Sequence, residues 1–393
     1  MAEAVPAETV RIPRYDEACV SDVLPSLLAS HGVPGCRDIL GLAAPTRAIV
    51  LLVDGLGWMY IQERPDLVPF LASRGGRVID SPCPSTTVTG IASLGTGRPP
   101  GEHGLVGYTI PSWEQRGRRL NLLTWKFEHT DGSVVDALDS HPPESEQPTT
   151  TMLARAAAAG VATTAVLAPA YTASGLTRAA LRGAEIQPAE GLEATLATAI
   201  RAAGLGNGAL VYAHHGEVDR AGHGYGPETQ EWEDVVAHLD ELLEQVAVDL
   251  PADVALYVTA GHGMVGVPPD GFVELADQPA LMAGIEVFAG EPRFRHLRTA
   301  PGARDDVVAA WTEELGHRFV VVTREQARDA GWFGPYMRPA AFASLGDVLA
   351  LPRGMSAAVH RDLDPQWWRL SGHHGAMTQA EVEVPLIRID RTA

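Results

Sequence analysis

Cysteine is scarce in this sequence. Of its 393 residues only Cys19, Cys36 and Cys83 carry a thiol. Three thiols are too few, and odd in number, for a disulfide framework, so a reducing compartment is expected. Basic side chains are also in deficit: 30 Lys and Arg stand against 49 Asp and Glu, a formal net charge of -19. That balance argues against a nucleic-acid coat, which needs a basic face to neutralise phosphates. It argues equally against docking on an anionic membrane. No apolar run reaches the ~18 residues a membrane span requires. The opening stretch Met1 to Thr9 has neither the basic n-region nor the apolar h-region of a secretory signal. Short-period repeats and low-complexity tails are missing as well. A cytoplasmic globular protein is expected, and a small anionic substrate fits only where something locally reverses the field.

The sequence is rich in apolar strands alternating with amphipathic helices. Ala48–Val53 (AIVLLV) has the pattern of a fully buried strand, stopped by Asp54-Gly55-Leu56-Gly57. Further strands are predicted at Val161–Ala168, Ala209–Tyr212, Val254–Val258 and Val382–Ile389. Helices are predicted at Val20–Leu28, at Met152–Ala159 and before Gly204, and the longest at Glu228–Leu250. In that last one Trp232, Val235, Val236, Leu239, Leu242, Leu243 and Val246 form one stripe. This alternation predicts an α/β fold with a mostly parallel sheet flanked by helices. From Phe272 to Leu351 the rhythm changes: an Arg- and Pro-rich stretch (Pro292–Arg304) precedes a helix (Asp305–Leu315), a strand (Phe319–Val322) and a short helix closing at Gly331. Residues 272–351 are therefore expected to be an inserted cap or subdomain, with 1–271 and 352–393 forming the core.

Functional groups of open α/β sheets gather beyond the carboxyl ends of the strands. There the sequence places Asp54, then His214-His215-Gly216-Glu217-Val218-Asp219-Arg220-Ala221-Gly222-His223, then Gly261-His262-Gly263-Met264. Gly372-His373-His374-Gly375 lies near the C-terminus, and a hydroxyl cluster, Pro84-Ser85-Thr86-Thr87-Val88-Thr89-Gly90, follows the first strand. Taken singly, each has a plain structural role, as a turn, a helix cap or a surface pair. Taken together, carboxylates and imidazoles on strand tips are the mixed N/O donors of a zinc site. Two such metals ~4 Å apart can clamp the attacking and leaving oxygens of a phosphoryl transfer.

These segments resemble the nucleotide pyrophosphatase/phosphodiesterase branch of the alkaline phosphatase superfamily, over Ala48 to Leu386. The specific matches are Asp219-Arg220-Ala221-Gly222-His223, Gly372-His373-His374-Gly375, and the run from Pro84 to Gly104. The resemblance implies an alkaline-phosphatase-like sandwich and a two-zinc site. Asp219, His223 and His374 would ligate one zinc. Asp54 and His262 would ligate the second, together with the oxygen of the nucleophile. The family's threonine stands ten residues before the Gly of the Thr-Gly pair, which is Gly97 here and points to Thr87, with Thr86 and then Thr89 as alternatives.

The sequence departs from the family pattern twice. Gly261 stands where an aspartate usually completes the second zinc site, so that site is expected to be weak, water-completed or empty. Gly90 stands where an asparagine often holds a phosphoryl oxygen. The resemblance implies hydrolysis of a small phosphodiester or nucleotide-like substrate through a phospho-threonine intermediate, at a rate reduced by Gly261. A phosphate monoesterase, a sulfatase-like hydrolase and a one-metal ligand-binding protein remain alternatives. Cys83-Pro84-Ser85 superficially matches a sulfatase motif but lacks its spacing, and Gly55-Leu56-Gly57 begins a dinucleotide fingerprint that Tyr60 does not complete.

Overall fold

The computed structural model describes residues 10–42, 46–112, 117–129, 131–206 and 208–392. The stretch Met1 to Thr9 lies outside the described residues. Seven strands form the central sheet: β1 (Arg47–Val53), β2 (Arg77–Asp80), β3 (Ala162–Leu167), β4 (Glu185–Pro188), β5 (Ala209–His215), β6 (Val254–Thr259) and β7 (Glu383–Ile389). Their order is β2-β7-β6-β1-β5-β3-β4. β1 pairs in parallel with β6 and β5, and β3 pairs in parallel with β5 and β4. β7 alone runs against its neighbours β6 and β2. Ala48 to Val53 are almost completely buried, as expected of a central strand covered on both faces.

The expected strands and long helices are present, with instructive differences. β5 continues three residues past Tyr212, so His214 and His215 belong to the strand itself. The edge strands β2 and β4 escape a periodicity reading because each has only four residues, half of them polar. Four helices flank or feed the site: α1 (Thr87–Thr96), α2 (Leu192–Ala203), α3 (Glu217–Tyr225) and α4 (Gln230–Asp249). On α4 the stripe Trp232, Val236, Leu239, Leu242 and Leu243 is buried, while Val235 and Val246 are half-buried. Asp240 is buried on the same face because its carboxylate accepts the Phe70 and Leu71 amides at 2.9 and 2.8 Å. Those amides open the helix Pro69–Arg74, whose first turn has no internal acceptors.

Within 272–351 the expected helix and strand appear as Arg304–Leu315 and Phe319–Thr323. They join a four-stranded sheet that also contains Ile285–Glu291, Phe294–Thr299 and Val348–Pro352, all paired antiparallel. The Arg- and Pro-rich stretch is thus in part a strand, Phe294–Thr299, and two of its arginines, Arg293 and Arg295, point inward. Arg293 is fully buried in a two-pronged pair with Glu381 at 2.6 and 2.8 Å, and Arg295 pairs with Asp364 at 2.7 Å. Each buried cation meets a carboxylate, which offsets the cost of removing it from water. One side of this unit has its own apolar cluster around Trp311, Leu315 and Phe319. Its Phe294, Trp332 and Phe333 belong to the main core. No helix among the described residues is long and apolar enough to cross a membrane.

Candidate metal and phosphoryl-transfer site

The motifs converge at the carboxyl ends of β1, β5 and β6. Asp54 follows β1, and its amide donates to the His215 carbonyl at 3.0 Å, which locks it beside the end of β5. Gly55 makes the turn at φ +82°, and a side chain there would place Cβ 2.8 Å from the Asp219 Cα. The glycine of the incomplete dinucleotide fingerprint therefore serves close approach of α3 to the β1 turn, not a pyrophosphate. Asp219 and His223 lie one helical turn apart on α3, with Asp219 Oδ1 3.4 Å from His223 Nε2.

Three imidazoles are oriented the same way by main-chain carbonyls. His223 Nδ1 faces the Gly372 carbonyl at 2.8 Å, His262 Nδ1 the Gly263 carbonyl at 2.9 Å, and His374 Nδ1 the Ser85 carbonyl at 3.0 Å. Each Nδ1 must carry its hydrogen to make these bonds, which leaves the Nε2 lone pair as the donor to a metal. From Asp219 Oδ1 the three Nε2 atoms lie at 3.4 Å (His223), 3.9 Å (His262) and 3.6 Å (His374). The ligand atoms of Asp219, His262 and His374 all lie within 4.8 Å of one another. His262 and His374 stack at 3.7 Å between ring centroids. Asp219 Oδ1 and Asp54 Oδ1 are both buried with no hydrogen-bond partner. Buried carboxylate oxygens facing imidazole lone pairs without a proton between them fit a divalent cation, and little else.

His262 sits between the two expected metal positions, with its Nε2 3.8 Å from Asp54 Oδ1 and 3.9 Å from Asp219 Oδ1. Burial raises the cost of a charge on Asp54, but the hydrogen bond from His214 and the fields of His214 and His262 outweigh it and hold the carboxyl below its usual range. His374 is pushed far below the ordinary imidazole value, chiefly by burial and then by its neighbours His262 and His223, so it is neutral and able to ligate. The adjacent His373 turns away, its Nε2 3.2 Å from the Leu370 carbonyl.

The hydroxyl cluster separates cleanly. Thr87 Oγ1 reaches His262 Nε2 at 3.2 Å and lines the cavity beside Asp54. Thr86 instead donates to Glu291 Oε2 at 2.9 Å, and Thr89 donates to the Pro84 and Thr86 carbonyls. Thr87 is also the first residue of α1, whose unpaired amides and dipole favour an anion. Cys83 is fully buried and its thiol is pushed well up by burial, as befits a packing residue.

Gly90 and Gly261, the two departures, touch one another. A Cβ on Gly90 would stand 2.7 Å from the Gly261 Cα, and a Cβ on Gly261 would stand 2.5 Å from Asp54 Oδ1. Two residues to which the family pattern gave no role also stand at the site. His214 Nε2 meets Asp54 Oδ2 at 2.9 Å. Glu291, at the end of a strand in the 272–351 segment, is buried behind His374 with its Oε2 3.7 Å from Nδ1. Its carboxyl is pushed up to about 8, mainly by burial, against the stabilising Thr86 hydroxyl. The only signal for either was a position at a strand end, and the strand containing Glu291 is not evident from the sequence.

The site opens into a cavity of about 690 Å³ whose lining includes Asp54, Thr87, Asp219 and His223, with Ile91, Leu167, Tyr171, Leu176 and Leu181 on its apolar wall. Residues 48–377 match the family model of type I phosphodiesterase / nucleotide pyrophosphatase. The chain belongs to this family.

Solved structures agree with that membership at the level of fold. Murine ectonucleotide pyrophosphatase/phosphodiesterase 5 superposes with a TM-score of 0.64 at 15% identity, over 86% of this chain and 87% of the other. The same murine protein, as an inactive threonine-to-alanine variant in complex with AMP, superposes at 0.62 and 15% identity, over 86% and 87%. Phosphonoacetate hydrolase from Sinorhizobium meliloti 1021, in complex with phosphonoformate, gives 0.63 at 19% identity over 88% and 90%. Among curated proteins none matches the sequence. As a type I phosphodiesterase / nucleotide pyrophosphatase family member, the chain is a phosphoester hydrolase with the alkaline-phosphatase-like fold, a family that typically depends on divalent metal.

Proposed function

We propose that this chain hydrolyses small phosphodiesters, nucleotide-like ones included, through Thr87. The observation that carries the reading is the convergence of Asp219, His262 and His374 ligand atoms within 4.8 Å, with the Thr87 hydroxyl 3.2 Å from His262. Asp219, His223 and His374 would hold one divalent cation, and Asp54, His262 and Thr87 the other. Zinc suits these donors best. Bound there, the cations supply charge neutralisation for the phosphoryl oxygens and the leaving oxygen.

The protein's own contribution is positioning. Thr87, which begins α1 and lines the cavity, would attack phosphorus in line with Oγ1 as the P–O bond to one ester alcohol breaks; that alcohol leaves with a proton in place of the one Thr87 gives up, and water then cleaves the Thr87 Oγ1–P bond, returning a proton to Thr87 and releasing the monoester. The apolar wall of Ile91, Leu167, Leu176 and Leu181 accommodates an organic substituent on the phosphate. Among the described residues lining the cavity, the one arginine is Arg220, which is paired with Glu217 and largely exposed. That rim position offers no buried clamp for the dianion of a monoester, which favours the diester. The 272–351 segment contributes Glu291, whose Oε2 lies 3.7 Å from Nδ1 of the proposed ligand His374.

The test is acid-quenched turnover of an aryl phosphodiester, with the phosphorylated residue mapped by mass spectrometry. Thr87→Ala should abolish the labelled peptide and lower the rate by ~10³-fold or more. Thr86→Ala should keep the label on Thr87. Label that survives in Thr87→Ala, or that maps to Thr86, refutes the assignment.

A further inference from the structure

We infer that Glu291 is a positioning residue for the Thr87 nucleophile, acting through the hydroxyl of Thr86. The inference rests on the phosphodiesterase reading above. The hydroxyls of Ser85, Thr86 and Thr87 are each tied to a different part of the molecule. Ser85 Oγ donates to the Ala376 carbonyl at 2.6 Å, and Thr87 Oγ1 meets His262 Nε2 at 3.2 Å. Thr86 Oγ1, between them, donates to Glu291 Oε2 at 2.9 Å, a contact spanning 205 positions of sequence. Thr86 is also the N-cap of α1, with an extended backbone at φ -137° and ψ 156°. A threonine there ordinarily turns its oxygen onto a first-turn amide. Thr86 makes no such bond. Glu291 takes the hydroxyl as a donor instead, which pins the residue before Thr87 and keeps Thr86 from capping the turn that Thr87 begins.

The surroundings of Glu291 hold it still. It ends the strand Ile285–Glu291, where the Gly290 amide donates to Thr109 Oγ1 at 2.7 Å and Thr109 Oγ1 donates back to the Gly290 carbonyl at 2.9 Å. Two residues further on, Arg293 is gripped by Glu381 at 2.6 and 2.8 Å. Gly375 makes room for the carboxyl, since a Cβ there would stand 2.8 Å from Glu291 Cδ. Stability does not account for a carboxyl at this place. It is 1% exposed, and its Oε1 has no hydrogen-bond partner among the described residues, an arrangement that costs folding energy. Nor does His374 account for it. Its Nδ1 is bonded to the Ser85 carbonyl at 3.0 Å, whereas Glu291 Oε2 lies 3.7 Å away, beyond hydrogen-bond reach. The bond that Glu291 completes is the one to Thr86.

The experiment compares wild type with Glu291→Gln, Glu291→Leu, Thr86→Val and the double variant Glu291→Leu/Thr86→Val. Steady-state hydrolysis of an aryl phosphodiester, metal per chain by elemental analysis and denaturant midpoints are measured. Glutamine still offers Thr86 a carbonyl, whereas leucine and valine keep the volume and remove the bond. Both single apolar variants should lower kcat ~10–100-fold with KM within ~3-fold of wild type. The double variant should be no more than ~3-fold slower than either single one, because both break the same bond. Glu291→Gln should stay within ~5-fold of wild type, since the acceptor for Thr86 is kept. The double variant should unfold at a midpoint no lower than wild type, as both partners become apolar groups of similar shape. Metal per chain should match wild type throughout. Wild-type kcat in Glu291→Leu, losses that multiply in the double variant, or Glu291→Gln as slow as Glu291→Leu each overturn the inference. A lowered midpoint in the double variant overturns it by assigning Glu291 to the fold, and metal loss in Glu291→Leu overturns it by assigning Glu291 to His374. Wild type that takes up no label on Thr87 refutes the phosphodiesterase reading itself, whereas label on Thr87 with unchanged kcat in Glu291→Leu refutes only the role of Glu291.

Discussion

Replacing Gly261 by aspartate gives the missing carboxylate back to the family pattern, and the structure sets its cost. The new Cβ would lie 2.5 Å from Asp54 Oδ1, so the Asp54 carboxylate must rotate and its 2.9 Å contact with His214 breaks. A charge-assisted hydrogen bond of this kind contributes ~1.5–3 kcal/mol. Two carboxylates then face each other, and at ~4 Å with an effective dielectric near 20 their repulsion is ~4 kcal/mol, capped by uptake of a proton. Metal-free Gly261→Asp should therefore unfold more easily than wild type by roughly 2–4 kcal/mol. A dication between the carboxylates reverses the sign, and the same energy appears as a second-site affinity roughly 30- to 1000-fold tighter. Denaturant unfolding in chelator, paired with zinc titration by calorimetry, reads both numbers. If metal-free Gly261→Asp matches wild type within ~0.5 kcal/mol, or binds the second zinc no more tightly, the placement of residue 261 beside Asp54 is wrong.

Gly90→Ala should be poorly tolerated, since its Cβ would press 2.7 Å from the Gly261 Cα and backbone cannot yield as a side chain does; a loss of ~2 kcal/mol or more in denaturant unfolding is expected. Acid stability should be governed partly by buried neutral histidines outside the site. His103 and His296 are both lowered from 6.5 to about 3, chiefly by burial. His103 accepts the Leu105 amide on Nδ1 at 3.1 Å and contacts Ser93 Oγ through Nε2 at 3.0 Å, so it has no room for a second proton. The unfolded chain protonates these groups near 6.5 while the folded chain does not, so stability is complete above that pH and declines as pH falls from 6.5 toward 3. Denaturant midpoints between pH 7 and pH 4 check this, and His103→Gln should reduce the slope if its packing is kept.

The candidate ligands were legible as a set because each of them sits in a short motif near a strand end: Asp54 after β1, Asp219 and His223 one helical turn apart, His262 after β6, and His374 in its His-Gly pair. Thr87 was reached by family spacing, with Thr86 and Thr89 left open; the hydrogen bonds of Thr86 to Glu291 and of Thr89 to main-chain carbonyls distinguish the three. His214 was visible as a residue but not as a partner of Asp54, because that contact depends on β5 running past Tyr212 and on its register with β1. Glu291 left no trace, since nothing local marks a strand whose value lies in reaching another part of the molecule.

The sequence by itself determined the α/β class, the order of the motifs and the donors available to a metal, because periodicity and residue chemistry are local properties. Tertiary structure decided which hydroxyl faces the cavity, which oxygens are left without partners, and that Gly90 and Gly261 touch. It also decided that Glu291 and His214, far apart in the chain, stand beside the candidate ligands His374 and Asp54. Those are distances between strands, and strand register is set by packing against neighbours that no single segment encodes.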